Sequence, residues 1–236
     1  MLKLRQIHLV KAAGWMFISF FFLWNTDVFA EPYKCSNEDV TVYAEQQSDI
    51  AFACSSIDKT YAFLRAAGLI KHVSIDLHIV SELPKHKRSE LCLGHCKKTE
   101  NSIYILSYNT CKYRILENGF WGLIFSRDLH NSFIVHETAH AIAGAHCEVE
   151  FHSIAAEEYI PYTTQIALMP EGLRQELLTK IINEGFKNEE EITGLFHDLS
   201  PSVFAVKAYR HFRRKENGSN FYQKILKGKC RINGEE

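Results

Sequence analysis

The sequence predicts an α+β fold in which a small sheet packs on a helix carrying His136 and His140, with a mostly helical C-terminal half. Three observations predict it. Alternating or β-branched runs at residues 40–43, 74–80 and 103–106 all fall in the first half, where period-two patterning marks strands. An uncharged stretch surrounds His136-Glu137-Thr138-Ala139-His140, whose two histidines have helical spacing. Beyond residue 150, apolar positions recur at helical intervals.

Taken in order, residues 1–30 read as a signal peptide outside the fold. Lys3, Arg5, His8 and Lys11 form a positive start. Ala12 to Trp24 is an apolar run of 13 residues, short for a membrane span. Val28-Phe29-Ala30 matches a small-x-Ala cleavage site. Residues 31–236 are then expected to form a single domain of 206 residues with a formal charge of −3, against −1 for the whole chain. That balance gives no reason to expect nucleic acid as a partner, and no later run is long enough to cross a bilayer.

Residues 40–43 read as a strand. Residues 48–67 read as a helix with Ile50, Ala53, Cys54, Ile57, Tyr61 and Leu64 on one side and Gly68 as its stop. Residues 74–80 form the next strand, residues 83–100 a basic cysteine-containing loop, and residues 103–106 a further strand. Asn131 or Ser132 offers a cap for the His136 helix, and Gly144 an end. Residues 153–168 and 170–184 read as consecutive helices, 189–197 as a weaker one. Residues 201–215 form an amphipathic helix with Val203, Phe204, Val206, Tyr209 and Phe212 inward. Its Lys207, Arg210, Arg213, Arg214 and Lys215 are expected to form a solvated face.

All seven cysteines, at 35, 54, 92, 96, 111, 147 and 230, follow the cleavage site. In an exported chain, periplasmic or secreted, they are expected to form disulfides with at least one left over. Cys92 and Cys96, with His86 and His95 nearby, also fit a second zinc site, although thiols in an oxidising compartment pair more readily.

The sequence His136-Glu137-Thr138-Ala139-His140 reads HExxH. Two histidines one turn apart on one helix face can reach a single tetrahedral Zn2+, at roughly 2.0–2.1 Å from each nitrogen. Glu137 points to a neighbouring face, where it serves as a base rather than a ligand. Phe133, Ile134, Val135, Thr138, Ala139, Ala141, Ile142 and Ala143 carry no charge, as a helix buried beside a metal cleft requires. A catalytic zinc usually takes three protein ligands and leaves the fourth position to water. Glu157 and Glu158 compete for the third place with His146. Glu157 shares its stripe with Ile154, Pro161, Thr164 and Leu168, and Glu158 with Ala155, Tyr162, Gln165 and Met169. Periodicity alone does not choose between them, although the first stripe is the more apolar, which on its own favours Glu157 pointing inward. His146 stands where the pattern HExxHxxGxxH has its last histidine, but Ala143 replaces the glycine and Gly144 comes one step late for the turn.

His136–His140 followed by Glu157-Glu158-Tyr159-Ile160-Pro161-Tyr162 resembles a family of exported bacterial proteins of unknown function, in which HExxH precedes an EYIAY-type segment. More distantly it resembles the gluzincin metallopeptidases. The resemblance covers residues 130–170 well and implies a zincin-like domain with His136, His140 and Glu158 as zinc ligands and Glu137 as general base. It implies hydrolysis of a peptide or protein substrate. Pro161 departs from the family's alanine and predicts a kink after Glu158. Tyr162, Tyr159, His146 and His152 are candidates for a second donor to the developing oxyanion. Two other readings use the same residues: a non-catalytic zinc-binding protein of the cell envelope, and a disulfide-stabilised envelope protein without metal.

Overall fold

The computed structural model describes residues 31–36, 39–84, 93–97, 102–115, 119–151 and 153–232. The predicted signal peptide, His86, Cys92, His152 and most of the basic loop lie outside the described residues.

A mixed sheet has the order β1-β2-β3-β5-β4, formed by β1 (Tyr33–Lys34), β2 (Val40–Ala44), β3 (Ile75–Val80), β4 (Gly94–Lys97) and β5 (Ser102–Leu106). β2, β3 and β5 run parallel, in the register Val42↔Leu77 and Leu77↔Ile103; β1 and β4 are antiparallel edges. Val40, Val42, Ile75, Leu77, Ile103 and Ile105 are buried, whereas Thr41, Tyr43, Asp76, His78 and Tyr104 are only partly covered. Period-two side-chain placement therefore gives the sheet one core face.

That face carries the helices. α1 (Gln47–Ala66) follows β2 and buries Ile50, Ala53, Ile57, Tyr61 and Leu64, as expected. Gly68 takes φ +90° just beyond its end, a conformation that favours glycine. A disulfide joins Cys35 to Cys54 and ties the start of the sheet to α1. α2 (Tyr108–Ile115) precedes α3 (Arg127–His146), the HExxH helix, which packs on α1, on β4 and β5, and on α4 (Ile154–Leu168). α4 is covered on another side by α7 (Pro201–Phe212), with α5 (Glu171–Lys180), α6 (Gly194–Leu199) and α8 (Gly218–Leu226) completing the helical half. No helix among the described residues is long and apolar enough to cross a membrane.

Several boundaries differ from the sequence reading. α3 begins at Arg127, not at Asn131 or Ser132. Ser126 is extended and its hydroxyl accepts the Leu129 N–H, and Asp128 sits in the first turn, where the helix dipole favours an acid. Arg127 reaches back to the buried Asp49 of α1 at 2.5 Å, so the pairing sets where the helix starts. Gly144 stays inside the helix, which runs to His146. Pro161 is buried within α4, which continues unbroken through it to Leu168. Residues 94–97 of the expected loop form the edge strand β4. Residues 189–197 divide into a short 3-10 turn, Glu189–Glu191, and α6. α7 ends at Phe212, short of the expected 215; just beyond it Arg214 donates to the carbonyls of Phe186 and Glu184, and on α7 Arg210 donates to that of Leu178 in α5. These two cations hold backbone carbonyls of α5 and of the segment after it rather than forming a solvated face.

Behind α4 lies a buried polar network. Tyr159 hydroxyl and His211 Nδ1 are 2.6 Å apart, and Tyr222 hydroxyl bonds Thr163. Burial and the Arg214 cation lower the His211 pKa from 6.5 to about 4. The unfolded chain therefore takes up this proton first as pH falls, so the stability His211 confers is present above about 6.5 and is lost between about 6.5 and 4. Urea unfolding at stepped pH should show the midpoint falling through that window, with a shallower slope in His211→Gln.

Candidate metal centre

The α3–α4 contact brings three ligand-type side chains together. His136 and His140 lie one turn apart on α3, and Glu158 lies in the second turn of α4, behind the Ser153 cap. His136 Nε2 is 3.1 Å from His140 Nε2 and 3.2 Å from Glu158 Oε2; His140 Nε2 is 3.4 Å from Glu158 Oε1. Ligand atoms bound at 2.0–2.1 Å in a tetrahedron lie about 3.3 Å apart. Each contact is therefore close to one such edge, with the two histidines meeting different oxygens of Glu158, and one ligand atom from each of the three residues lies within 4.8 Å of the others. Glu158 Oε2 is buried and makes no hydrogen bond, so a polar atom is left over at the point where a cation would sit. Among the described residues this is the one group of three or more histidine, cysteine or acidic side chains able to hold a metal ion.

The histidine tautomer is set from behind. His136 Nδ1 is 3.1 Å from Gln165 Oε1, the Gln165 amide donates to Ser132 Oγ at 3.0 Å, and Ser132 donates to the Leu129 carbonyl at 2.7 Å. With the amide direction fixed by Ser132, Gln165 Oε1 can only accept. His136 Nδ1 therefore carries a proton, and in the neutral ring Nε2 presents its lone pair to the cluster. Sequence reading gave Gln165 no role. Its signal was its place two turns after Glu158 on the same stripe.

Electrostatics bind the cluster into one unit. Burial pushes the Glu158 carboxyl up, but His140 and His136 hold it well below the usual carboxylate range. Burial works against a charged His140, yet Glu158, with Glu137 and Glu157, raises its pKa. Glu137 is raised by burial and by Glu158, against His136, His140 and a backbone N–H of Cys96 on β4. β4 approaches so closely that a Cβ on Gly94 would lie 3.1 Å from Glu137 Oε1 and 2.6 Å from Ile105 Cδ1, which explains a glycine there.

His136 and Glu137 open onto a cleft of about 170 Å³ shared with Tyr162, Gln165, Leu93, Phe120, Trp121 and Phe133. The Tyr162 ring lies 4.6 Å from that of His136. One wall is a tight turn closed by Phe120 N–H to Leu123 O at 3.2 Å and Leu123 N–H to Phe120 O at 3.0 Å. Trp121 and Gly122 both have positive φ, 56° and 72°, as a type I′ turn demands. A tryptophan in this conformation stores roughly 1–3 kcal/mol of strain.

The remaining sequence candidates fall elsewhere. Glu157 stands outside the cluster. His146 is still on α3, with its Nε2 accepting from Lys71 N–H and its Nδ1 at the Ile142 carbonyl, so both ring nitrogens are engaged. Tyr159 faces the core and His211 rather than the cleft. His95 and Cys96 are neighbours on a strand and so point to opposite faces, which does not suit a shared metal. Cys111, Cys147 and Cys230 are thiols.

Fold and site together define an α+β protein in which an HExxH helix and a second helix present a His-His-Glu group able to bind a metal ion. The chain belongs to the family of unknown function DUF6639, whose model matches residues 40–235. Neither the curated proteins nor the solved structures contain a match.

Gln165→Leu should weaken zinc affinity about 10–100-fold, while Gln165→Glu, which keeps the acceptor, should bind within a few-fold of the parent. Competition with a chromogenic chelator measures both.

Proposed function

We propose that this chain is an exported zinc metallopeptidase in which His136, His140 and Glu158 hold Zn2+ and Glu137 is the general base. The observation that carries the reading is the His136–His140–Glu158 group, with contacts of 3.1 Å between the imidazoles and 3.2 and 3.4 Å from them to the two Glu158 oxygens, beside a cleft that His136 and Glu137 line. Two imidazoles and one carboxylate suit zinc among the common divalent ions. When bound, zinc supplies Lewis acidity that polarises a carbonyl and favours a nucleophilic water near neutral pH.

The chain's own groups divide the remaining work. Glu158 neutralises part of the metal's charge from α4. Gln165 keeps the His136 lone pair aimed at the cluster. Glu137 lies against β4, where the Cys96 N–H donates to its carboxylate. There it can take a proton from water and pass it to the leaving amine. Tyr162 stands over His136 at the cleft, and burial together with Glu158 and Glu137 raises its pKa, so its hydroxyl stays protonated and able to donate to a developing oxyanion. Among the described residues the group holds three ligand-type side chains, and a catalytic zinc takes three protein ligands and leaves the fourth position to water. Export, and a signal peptide at residues 1–30, accord with the Cys35–Cys54 disulfide.

Glu137→Gln should retain one zinc per chain and lose peptide hydrolysis by about three orders of magnitude or more, because it removes the base and not a ligand. A mixed fluorogenic peptide library with parallel metal analysis tests this. A zinc-loaded Glu137→Gln protein with parental turnover would contradict the assignment.

A further inference from the structure

The turn at residues 119–123 uses a residue that the turn itself does not want. Two-residue type I′ turns favour Asn-Gly, and here Trp121 occupies the first central position at φ 56°. The strain is locked in by the surroundings. Gly119 has φ 65° and lies so close to Leu123 that a Cβ would come 2.8 Å from its carbonyl oxygen. The Lys180 ammonium of α5 donates to the Gly122 carbonyl and braces the turn from outside. The result is an indole held at the cleft. Its ring lies 4.9 Å from Phe120 and 5.6 Å from Tyr162, and Phe120 in turn lies 4.8 Å from Phe133 on α3. Phe133 is one turn before Glu137, so the aromatic wall and the proposed base share one helix.

Resting on the peptidase reading above, we propose that the pocket formed by Trp121, Phe120, Phe133 and Leu93 is a subsite for one bulky apolar side chain flanking the scissile bond, with Trp121 as its specificity-determining residue. The walls carry no charge, while His136, Glu137, Tyr162 and Gln165 gather at the same cleft. A side chain seated against the walls thus brings its own backbone to the reacting groups. At about 170 Å³ the space falls below the roughly 300–1,000 Å³ of pockets for drug-sized ligands and suits a single side chain. An acidic side chain would meet Glu137 and Glu158. A serine-sized one would leave the aromatic surface wet.

Trp121 is also its own reporter. The other two tryptophans are Trp15 and Trp24, so Trp15→Phe with Trp24→Phe leaves Trp121 alone in the full-length chain. In that background, zinc-loaded protein carrying Glu137→Gln is titrated with acetyl-Ala-Xaa-Ala-amide, with Leu, Phe, Ser, Asp or Lys as Xaa, by calorimetry and tryptophan emission. The Leu and Phe peptides should bind about tenfold or more tighter than the Ser and Asp peptides and shift the emission. In Trp121→Asn, a residue the turn accepts, calorimetry should find that preference reduced to about twofold without a fall in melting temperature. Equal affinities, a preference surviving in Trp121→Asn, or a Lys peptide binding tightest would overturn the proposal. Glu137→Gln cannot turn over, so these affinities are read apart from cleavage. Cleavage of the Leu peptide by the Glu137 parent separately tests the peptidase reading.

Discussion

Two imidazoles and a carboxylate are buried together where α3 crosses α4, and most of the molecule is arranged around that crossing. Removing such groups from water is costly unless each finds a partner of matching charge or hydrogen-bonding type. Behind the ligand atoms the partners are complete: Gln165, Ser132 and the Leu129 carbonyl satisfy His136 in an unbroken chain. In front they are not, since Glu158 Oε2 has no donor and two imidazole Nε2 atoms face each other at 3.1 Å. A cation would give these atoms the partner they lack. The sheet and α1 support α3 from one side, and the Arg127–Asp49 pair ties its first residue to α1. α7 and the Tyr159–His211 and Thr163–Tyr222 bonds support α4 from the other.

Stability is spent at the rim of the cleft. A tryptophan in the left-handed region and a glycine in β4 are poor choices for a turn and a strand considered alone. Each makes sense beside the cluster. Gly94 lets β4 close over Glu137, and Trp121 sets an aromatic surface next to it. Local rules are broken where the candidate chemistry lies and largely obeyed in the core strands, a contrast expected of a working site.

Much of this was legible in the sequence. Val40–Ala44, Ile75–Val80 and Ser102–Leu106 show their strand character through alternation, and HExxH announces its helix through uncharged flanks. Periodicity alone does not choose between Glu157 and Glu158, and the greater apolarity of the Glu157 stripe points away from the residue that stands in the cluster. The apolar stripe through Glu157 includes Ile154, which is exposed, and Leu168, which is partly so. α4 is packed by α3 and α7 at once and buries Ala155, Ala156, Tyr159, Ile160, Thr163 and Thr164, so no single stripe identifies its inward side. The family resemblance pointed to Glu158, the residue that stands in the cluster. β4 was hidden because Gly-His-Cys-Lys has neither strand propensity nor alternation and depends on pairing with β5. The Trp121 turn was hidden because its first central residue is the wrong type for it. Gln165 was visible only as a neighbour on a stripe, since hydrogen-bond partners across two helices leave no local pattern.

The central claim is that the cluster is a metal site with Glu158, and not His146, as the third ligand. The most direct test is zinc per chain, by mass spectrometry of metals, in purified parent, Glu158→Ala and His146→Ala, each checked for folding by circular dichroism. The account predicts one zinc in the parent and in His146→Ala, and a large loss in Glu158→Ala with the helical spectrum retained. A folded parent that takes up no zinc when supplied with it, or loss confined to His146→Ala, would contradict it.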